Sequence, residues 1–399
     1  MNPQLSGWRM PASAAFPMLA LVLFAFFAAA SAPSPLFVVF QNQWGFSPAL
    51  LTVAFAIYAI ALLISLLVAG SLSDHVGRRP VIFVALLLQG TAMLMFLLAR
   101  GIAGLLAARI VQGIATGMAS GALSAAVVEA APESRKRLGA LISSVSPLAG
   151  LAVGALLTGM AVKLTSHPVP LVFGVLSAIC ACGAVAIFFI PETATRRLGA
   201  LASLVPRMSV PIQARVEFMR GLPVMVAVWS LGGLYLSLVP SMLQQVFHIH
   251  NGLVNGLAIA TMFGVGSVSP SLFRRFAPPL ARAIGMSSIA GGVVVIGLSL
   301  VSDSVALFFI GSAVAGVGFG TAFSAQVQQL APLARPHERA ELFAAMYVAS
   351  YLAFSVPAMS AGLLIAPFGL LATALGYLAF LALVAGSGAA LQWAALRRS

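Results

Sequence analysis

Charged side chains are scarce in this sequence, and acidic ones are the scarcest. Of the 399 residues, 7% are charged and eight are Asp or Glu, whereas 61% are hydrophobic. Soluble globular proteins carry about 25% charged residues, so this chain has too few to give a soluble fold of its size a polar surface. No polar stretch is long enough to form a separate soluble domain. The composition therefore predicts an all-α polytopic membrane protein.

Cysteines and catalytic motifs are also few. The two cysteines, Cys180 and Cys182, lie two residues apart in one apolar run, which does not favour a disulfide framework or a metal site. The P-loop, the dinucleotide-binding turn, the H-E-x-x-H motif and the nucleophile elbow are absent from the sequence. We therefore expect no enzymatic activity, no cofactor and no metal.

The hydrophobic residues form twelve runs, each long enough to cross a bilayer, which takes about 20 residues. The first run begins like a secretory signal but is too long for a signal core, so we interpret it as a membrane span. The predicted spans are 17–40, 48–70, 80–98, 103–127, 139–161, 168–190, 222–246, 252–273, 283–301, 304–327, 340–365 and 369–394.

A longer polar segment, 192–221, separates six spans from the other six. We predict that residues 1–191 form one six-helix bundle and residues 222–399 a second one, with 192–221 as a linker. A weak internal repeat supports this division, because Glu129-Ala-Ala-Pro-Glu-Ser-Arg135 resembles Gln329-Leu-Ala-Pro-Leu-Ala-Arg335 at the same place in each half.

The basic residues predict the orientation of the chain. Apart from Arg100, Lys163 and the intramembrane Arg109, every lysine and arginine falls on the side of the predicted spans that also holds both termini. Basic residues that flank spans face the cytoplasm, so we expect cytoplasmic termini and no nucleic-acid binding. The preference for arginine over lysine is typical of GC-rich bacteria. The expected location is therefore a bacterial inner membrane.

The most specific motif lies between the second and third spans. It reads Gly70-Ser-Leu-Ser-Asp74-His-Val-Gly77-Arg78-Arg79-Pro80, a short loop in which glycine permits unusual backbone angles. From composition alone it would be a solvated turn with orienting arginines. The loop resembles the signature G-x-L-x-D-x-x-G-R-R of the major facilitator superfamily, with matches at Gly70, Leu72, Asp74, Gly77, Arg78 and Arg79.

This resemblance implies a transporter with two six-helix bundles around a central cavity, working by rocker-switch alternating access. It also implies a cytoplasmic gating latch that stabilises the outward-facing state. The expected latch residues are Gly70, Asp74, Gly77, Arg78, Arg79, Glu129 and Arg135.

A second motif opens the fourth span. Arg109-Ile-Val-Gln112-Gly113 is similar to the R-x-x-Q-G motif of the same superfamily. A guanidinium inside a membrane requires partners or water, so a functional charge is one interpretation; snorkelling to the surface is the other. We take Arg109, Gln112 and Glu129 as candidates for proton coupling.

A third motif lies in the fifth span and points towards efflux. Ser146-Pro147-Leu-Ala-Gly150 partly resembles the G-P-x-x-G-G element of drug–proton antiporters, although Ser146 and Leu151 replace glycines. Residues that we expect to control helix packing or conformational change are Gly113, Pro147, Gly150 and Gly154.

No carboxylate lies near the middle of a predicted span, so the cavity should be largely uncharged and suit hydrophobic or amphiphilic molecules. We expect proton-coupled export by a monomer in the lipid bilayer. A proton symporter for an organic anion and a membrane receptor or assembly factor that does not transport remain alternatives. Candidate residues for binding the small-molecule substrate are Tyr58, Trp229, Tyr235, Gln244, Gln326, Tyr347 and Tyr351.

Overall fold

The computed structural model describes residues 10–194, 198–206, 208–335 and 338–397, and every regular element in them is helical. Five of the arginines used to predict the orientation, Arg9, Arg196, Arg197, Arg207 and Arg398, lie outside these residues. The α-helices are α1 (Ala12–Ser31), α2 (Pro33–Trp44), α3 (Pro48–Ala69), α4 (Leu72–Val76), α5 (Arg78–Leu98), α6 (Ile102–Ala130), α7 (Lys136–Leu164), α8 (Pro168–Phe189), α9 (Arg215–Ser237), α10 (Val239–Gln245), α11 (Gly252–Leu272), α12 (Pro278–Val301), α13 (Val305–Leu330) and α14 (Arg339–Leu396).

These helices make twelve membrane crossings in the described part of the chain. Eleven continuous helical stretches are long and apolar enough to span a membrane. The last one, α14, has 58 residues, about twice what a bilayer accommodates, and it is interrupted at Gly369, whose φ of 79° and ψ of 165° are not helical. It therefore counts as two crossings. All twelve crossings are helical, which confirms the predicted all-α fold.

Two crossings are kinked where proline interrupts the backbone hydrogen bonds. Between α1 and α2, Pro33 follows Ala32 directly, and between α9 and α10 the chain bends just before Pro240. Proline has no N–H to donate and is favoured in the first turn of a helix, so it restarts the helix at each bend.

Among the helices that begin earlier than hydropathy predicts, α9 and α12 each extend past a charged side chain. α9 begins at Arg215, inside the predicted linker, and α12 begins at Pro278 rather than at residue 283. The prediction ended each span at a charged side chain, but Glu217 and Arg282 lie within these helices and pair with each other. A carboxylate and a guanidinium that neutralise each other extend a helix beyond its apolar core.

The helices form two bundles, α1–α8 and α9–α14. In the first bundle, α7 packs on α1, α3 on α6, and α5 on α6 and α8; in the second, α12 packs on α13 and α14, and α14 on α9. Glycines allow close approach. A Cβ added at Gly113 would collide with the backbone of α3, and one at Gly150 or Gly154 with the backbone of α1.

The bundles meet through α7 against α11 and α3 against α14. A Cβ added at Gly256 of α11 would lie 2.6 Å from the Ala155 carbonyl of α7, and one at Gly362 of α14 would collide with Thr52 of α3. Both contacts lie at the end of the molecule opposite the α3–α5 loop, which we call the closed end. In the half of α7 before Pro147, which points to the other end, only Gly139 and Ser146 are buried.

Candidate functional site

Aromatic side chains from both bundles meet between α3, α9, α13 and α14. Across the bundle interface, the ring centroids of Phe55 and Phe354 are 4.7 Å apart. Within the second bundle, the Trp229 ring lies 4.8 Å from Tyr351 and 5.6 Å from Phe323. We define the interbundle aromatic cluster as Phe55, Tyr58, Trp229, Phe323, Tyr347, Tyr351 and Phe354.

This cluster has polar groups on its aromatic surfaces. Tyr58 and Tyr351, which carry hydroxyl groups, are both largely buried. The Nε1 atom of Trp229 is buried and has no hydrogen-bond partner in the described part of the chain. A buried indole N–H normally finds a partner, and leaving a buried donor unpaired costs about 1–3 kcal/mol. The cluster therefore contains one buried hydrogen-bond donor whose capacity is unused among the described residues.

Arg109 lies beside this cluster inside the first bundle and is completely buried. Its Nη1 atom donates a 2.6 Å hydrogen bond to Oε1 of Gln112, and Gln112 Nε2 donates to the Ala29 carbonyl at 3.1 Å. The guanidinium carbon lies 4.5 Å from the ring centroid of Phe37 and 5.3 Å from that of Tyr58. Burial of the whole side chain excludes snorkelling.

Two of the guanidinium nitrogens, Nε and Nη2, are buried without a hydrogen-bond partner among the described residues. The cation is held by Gln112 and by the faces of four aromatic rings, those of Phe37, Phe55, Tyr58 and Phe96. Aromatic faces attract a cation more strongly when it is desolvated. Tyr58 thus links Arg109 to the interbundle cluster.

The structure brings together four of the seven predicted substrate residues, Tyr58, Trp229, Tyr347 and Tyr351. The other three lie elsewhere. Tyr235 is buried in the second bundle, where its hydroxyl donates to Ser312 Oγ. Gln244 lines a cleft of about 90 Å³ at the closed end, and Gln326 accepts a 2.8 Å hydrogen bond from Arg282.

A second buried cation, Arg282, lies within α12, whereas the predicted span 283–301 leaves it in a loop. Its Nη1 atom forms an ion pair with Glu217 of α9 and also contacts Gln326 of α13, so the group ties three helices together. Removing one member of a buried ion pair typically costs 3–5 kcal/mol. The separation of Glu217 from Arg282 in the sequence gave no signal of this pairing.

The α3–α5 loop forms a charge cluster at the end of the molecule opposite the closed end, which we call the arginine-rich end. Arg78 Nη1 lies 2.6 Å from Asp74 and Nη2 lies 2.9 Å from Glu129, so Arg78 joins the loop to the end of α6. Arg79 donates to the carbonyls of Ile187 and Phe188 at the end of α8. These hydrogen bonds all lie within the first bundle.

Glu192, which the motif analysis missed, completes this charge cluster. Its carboxylate accepts the backbone N–H groups of Arg78 at 2.7 Å and Arg79 at 3.2 Å, at the positive N-terminus of α5. The Glu192 carboxylate occupies the space that a Cβ at Gly77 would fill, and the φ of Gly77 is 106°. Gly77 is thus the position in the loop where an unusual backbone angle requires glycine, as the sequence predicts.

The other two predicted latch residues are placed differently. Gly70 has an ordinary right-handed helical conformation, with a φ of −61°. Arg135 is exposed in the 3₁₀ turn Glu133–Arg135, and the neighbouring Lys136 is the cation that contacts the Glu129 carbonyl. The structure therefore brings Asp74, Arg78 and Glu129 together without Arg135.

Solved structures of known transporters have a similar fold. The human organic anion transporter MFSD10 (TETRAN) is 15% identical, with a TM-score of 0.68 over 94% of this chain and 99% of that one. A POT family transporter, solved in complex with a thioalcohol-conjugated peptide and with 5-aminolevulinic acid, is 12% identical, with a TM-score of 0.75 over 93% of this chain and 94% of that one. At these identities the likeness shows the fold.

No curated protein sequence is significantly similar to the chain. The sequence profile of the Major Facilitator Superfamily, however, matches residues 19–358, which cover eleven of the twelve crossings in whole or in part. Together with the two helical bundles and the loop motif, this match identifies the chain as a multi-pass membrane protein that belongs to the Major Facilitator Superfamily of transporters.

Proposed function

We propose that the protein is a proton-coupled secondary transporter that exports a hydrophobic or amphiphilic small molecule by rocker-switch alternating access, in the manner of drug–proton antiporters. The observation that carries this proposal is the interbundle aromatic cluster. It lies where the two bundles meet, and its members come from both of them. A molecule bound there would leave the cluster as the bundles separate.

The chemistry of the cluster supports an apolar or amphiphilic substrate. Aromatic rings bind such molecules through large apolar surfaces, while a few polar groups fix their orientation. Trp229 Nε1 supplies an unpaired donor, and the hydroxyls of Tyr347 and Tyr351 add donors and acceptors. A sugar would need more amides and carboxylates than this cluster provides.

Proton coupling is assigned to Arg109, Gln112 and Glu129. Arg109 and Gln112 form one hydrogen-bonded unit next to the interbundle aromatic cluster. Because Tyr58 belongs to the cluster and contacts Arg109, a movement of the cluster side chains reaches this unit through Tyr58. Glu129 is a titratable group that holds Arg78 in the charge cluster. Protonation of Glu129 would release Arg78 and so loosen the latch.

The structure supports an alternating-access cycle because the bundles touch at the closed end. With the arginine-rich side assigned to the cytoplasm of a bacterial inner membrane, and both termini on that side, this conformation faces inward. In the opposite conformation, the cluster of Asp74, Arg78 and Glu129 would latch the cytoplasmic side. We propose that residues 192–221 connect the two moving bundles of a monomer.

A second candidate function is symport of an organic anion. It is favoured by the two unpaired nitrogens of Arg109, which could bind a carboxylate. Four aromatic rings cover the guanidinium, however, so direct binding requires Tyr58 or Phe55 to move. An uncharged or amphiphilic molecule bound at the aromatic cluster need not reach the guanidinium.

Transport by the purified protein in proteoliposomes tests these alternatives. A panel of lipophilic dyes and organic acids is offered under an imposed pH gradient, with Trp229→Ala as the test variant. Tyr235→Phe, a change of a buried aromatic residue outside the cluster, is the matched control. Export predicts that dye movement follows the gradient, is lost in Trp229→Ala and is kept in Tyr235→Phe.

Other outcomes separate the rivals. Accumulation of an acid together with protons, abolished by Arg109→Ala, would establish the symporter instead. If no compound moves under either direction of the gradient, the protein is a receptor or assembly factor and the proposal is wrong.

A further inference from the structure

The segment between the bundles exposes an apolar surface outside the membrane spans. Leu201 is 84% exposed and Ile212 is 78% exposed, whereas water-facing segments usually carry polar side chains at such positions. The exposed apolar side chains recur every three or four residues along a segment whose described residues are helical only at Ala202–Leu204 and from Ile212 onward. We call them the linker face: Leu198, Leu201, Val205, Met208, Ile212, Val216 and Met219.

The opposite side of this segment is already attached to the protein. Ala214 and Phe218 are buried in a cluster with Leu330 and Leu342 of the second bundle. The Ser203 carbonyl accepts a 3.0 Å hydrogen bond from Ser71 of the first bundle. The segment is therefore fixed at both ends, and the linker face is the side that remains uncovered.

Arginines outnumber carboxylates five to two in residues 192–221, and the Glu338 carboxylate accepts a hydrogen bond from Gln213 beside the linker face. Arg215 and Arg220 are exposed, and Arg196, Arg197 and Arg207 of the same segment lie outside the described residues. The two acidic residues of the segment itself are occupied, since Glu192 binds the N-terminus of α5 and Glu217 pairs with Arg282. No free carboxylate of the described segment therefore offsets these arginines.

We propose that the linker face lies in the headgroup region of the membrane leaflet and binds anionic phospholipids there. Apolar side chains among arginines are typical of segments that lie in the membrane interface, with the apolar side in the acyl boundary and the cations at the phosphates. Pro206 and Pro211 prevent one continuous helix, but backbone groups at headgroup depth remain hydrated. The segment joins two membrane crossings, so the leaflet is within reach of its side chains.

This inference concerns a lipid surface and does not depend on the substrate or the direction of transport. Two other occupants of the linker face are conceivable: the second bundle, in a conformation closed at the arginine-rich end, and a soluble protein. Anionic lipid is favoured by the charge, because the exposed arginines would be desolvated against the apolar side chains of a packed protein interface.

Site-directed fluorescence on the full-length protein tests the proposal. An environment-sensitive thiol probe is attached to Leu201→Cys or Ile212→Cys, each in a background with Cys180→Ala and Cys182→Ala, which otherwise offers no thiol. The control is Gln213→Cys, because the Gln213 side chain points to Glu338, 2.7 Å away. The variants are reconstituted in bilayers that contain a lipid-attached quencher, with or without phosphatidylglycerol.

We expect the probes at residues 201 and 212 to shift to the blue and to be quenched in bilayers with phosphatidylglycerol, and more strongly than the probe at 213. Raising the salt from about 0.15 to 1 M, which shortens the Debye length from about 8 to 3 Å, should reduce this quenching. Agreement between the two positions guards against a local folding defect at either one.

Three results would overturn the proposal. Probes at 201 and 212 that are as solvated as the control place the linker face in water. A blue shift without quenching places it against protein, either the second bundle or a partner. Quenching that is equal with and without phosphatidylglycerol and insensitive to salt contradicts the binding of anionic lipid.

Discussion

Arg109 and Arg282 are both buried guanidinium groups, yet their surroundings differ. Arg282 pairs with Glu217, whereas Arg109 has Gln112 and aromatic rings as its partners and two nitrogens without hydrogen bonds. An arginine at the centre of a membrane helix costs about 2.5–3.5 kcal/mol on insertion scales. A cation kept in such a place without an acidic partner is expected to serve function rather than stability.

Replacing each arginine by methionine should therefore affect stability differently, with a loss of stability only for Arg282. Arg109→Met removes an incompletely satisfied charge, so we expect the midpoint of thermal unfolding in detergent to stay the same or rise while transport is lost. Arg282→Met leaves Glu217 without its partner and should destabilise by about 3–5 kcal/mol. A loss of stability in Arg109→Met as large as that in Arg282→Met would make Arg109 a structural residue.

Glu192 contributes to stability through the backbone of α5. In Glu192→Gln, the amide nitrogen cannot accept a hydrogen bond and the negative charge at the helix N-terminus is lost, so we expect a destabilisation of about 0.5–2 kcal/mol. The matched control is Glu133→Gln, because the Glu133 side chain is 92% exposed. Thermal unfolding of both variants checks this, and equal midpoints would show that the Glu192 contacts do not stabilise the helix.

Asp74 lies in the charge cluster at an exposed position. Its ion pair with Arg78 is solvent-accessible, and such pairs contribute about 0–1 kcal/mol. We expect Asp74→Asn to insert and express like the wild type while its transport rate falls, because Arg78 loses one of its two carboxylates. A wild-type rate in Asp74→Asn would remove the latch role assigned to this residue.

At the level of helices, small residues decide where the bundles touch. In α11, a Cβ at Gly256 would lie 3.1 Å from the Leu156 Cα of α7 as well as close to the Ala155 carbonyl, whereas one at Gly264 would make an ordinary 3.7 Å contact with Ala152. Backbone atoms cannot move aside as a flexible side chain does. An added methyl group at Gly256 must therefore separate α7 from α11.

We expect Gly256→Ala to shift the conformational equilibrium towards the state in which the two bundles are separated at the closed end. Gly264→Ala is the control. The readout is the reaction rate of a thiol at Thr52→Cys, in the background without Cys180 and Cys182, since Thr52 is buried at the other interbundle contact. The rate should rise in Gly256→Ala alone. An unchanged rate in Gly256→Ala, or an equal rise in Gly264→Ala, would contradict this account of the closed end.

The helices themselves were largely predictable, because a bilayer requires about 20 apolar residues for each crossing and the chain has few charges to obscure the pattern. The predicted starts of helices were wrong where a buried ion pair neutralises the charges inside the helices, as with Glu217 and Arg282. The twelve-crossing count also survived the 58-residue α14, since the predicted break at 365–369 coincides with the kink at Gly369.

At the level of the whole molecule, the meeting of Tyr58, Trp229, Tyr347 and Tyr351 depends on how two bundles pack. Nothing in the sequence distinguishes these residues from Tyr235, which packs inside its own bundle. Motifs fared better where the contacts are local, as between Asp74 and Arg78. Glu192 was missed because it acts through backbone N–H groups more than a hundred positions earlier in the chain.

The central claim is that two rigid bundles open alternately at the two ends of the molecule. Spin-label distances between α7 and α11 with its preceding loop test it most directly, with one pair at Lys163→Cys and His250→Cys at the closed end. The second pair, Leu138→Cys and Leu272→Cys, is at the arginine-rich end. All four positions are exposed, and the background lacks Cys180 and Cys182.

The account predicts reciprocal changes when the pH is lowered or a transported compound is added, so that the 163–250 distance lengthens as the 138–272 distance shortens. Distances that stay fixed under every condition, or that lengthen together, would contradict it.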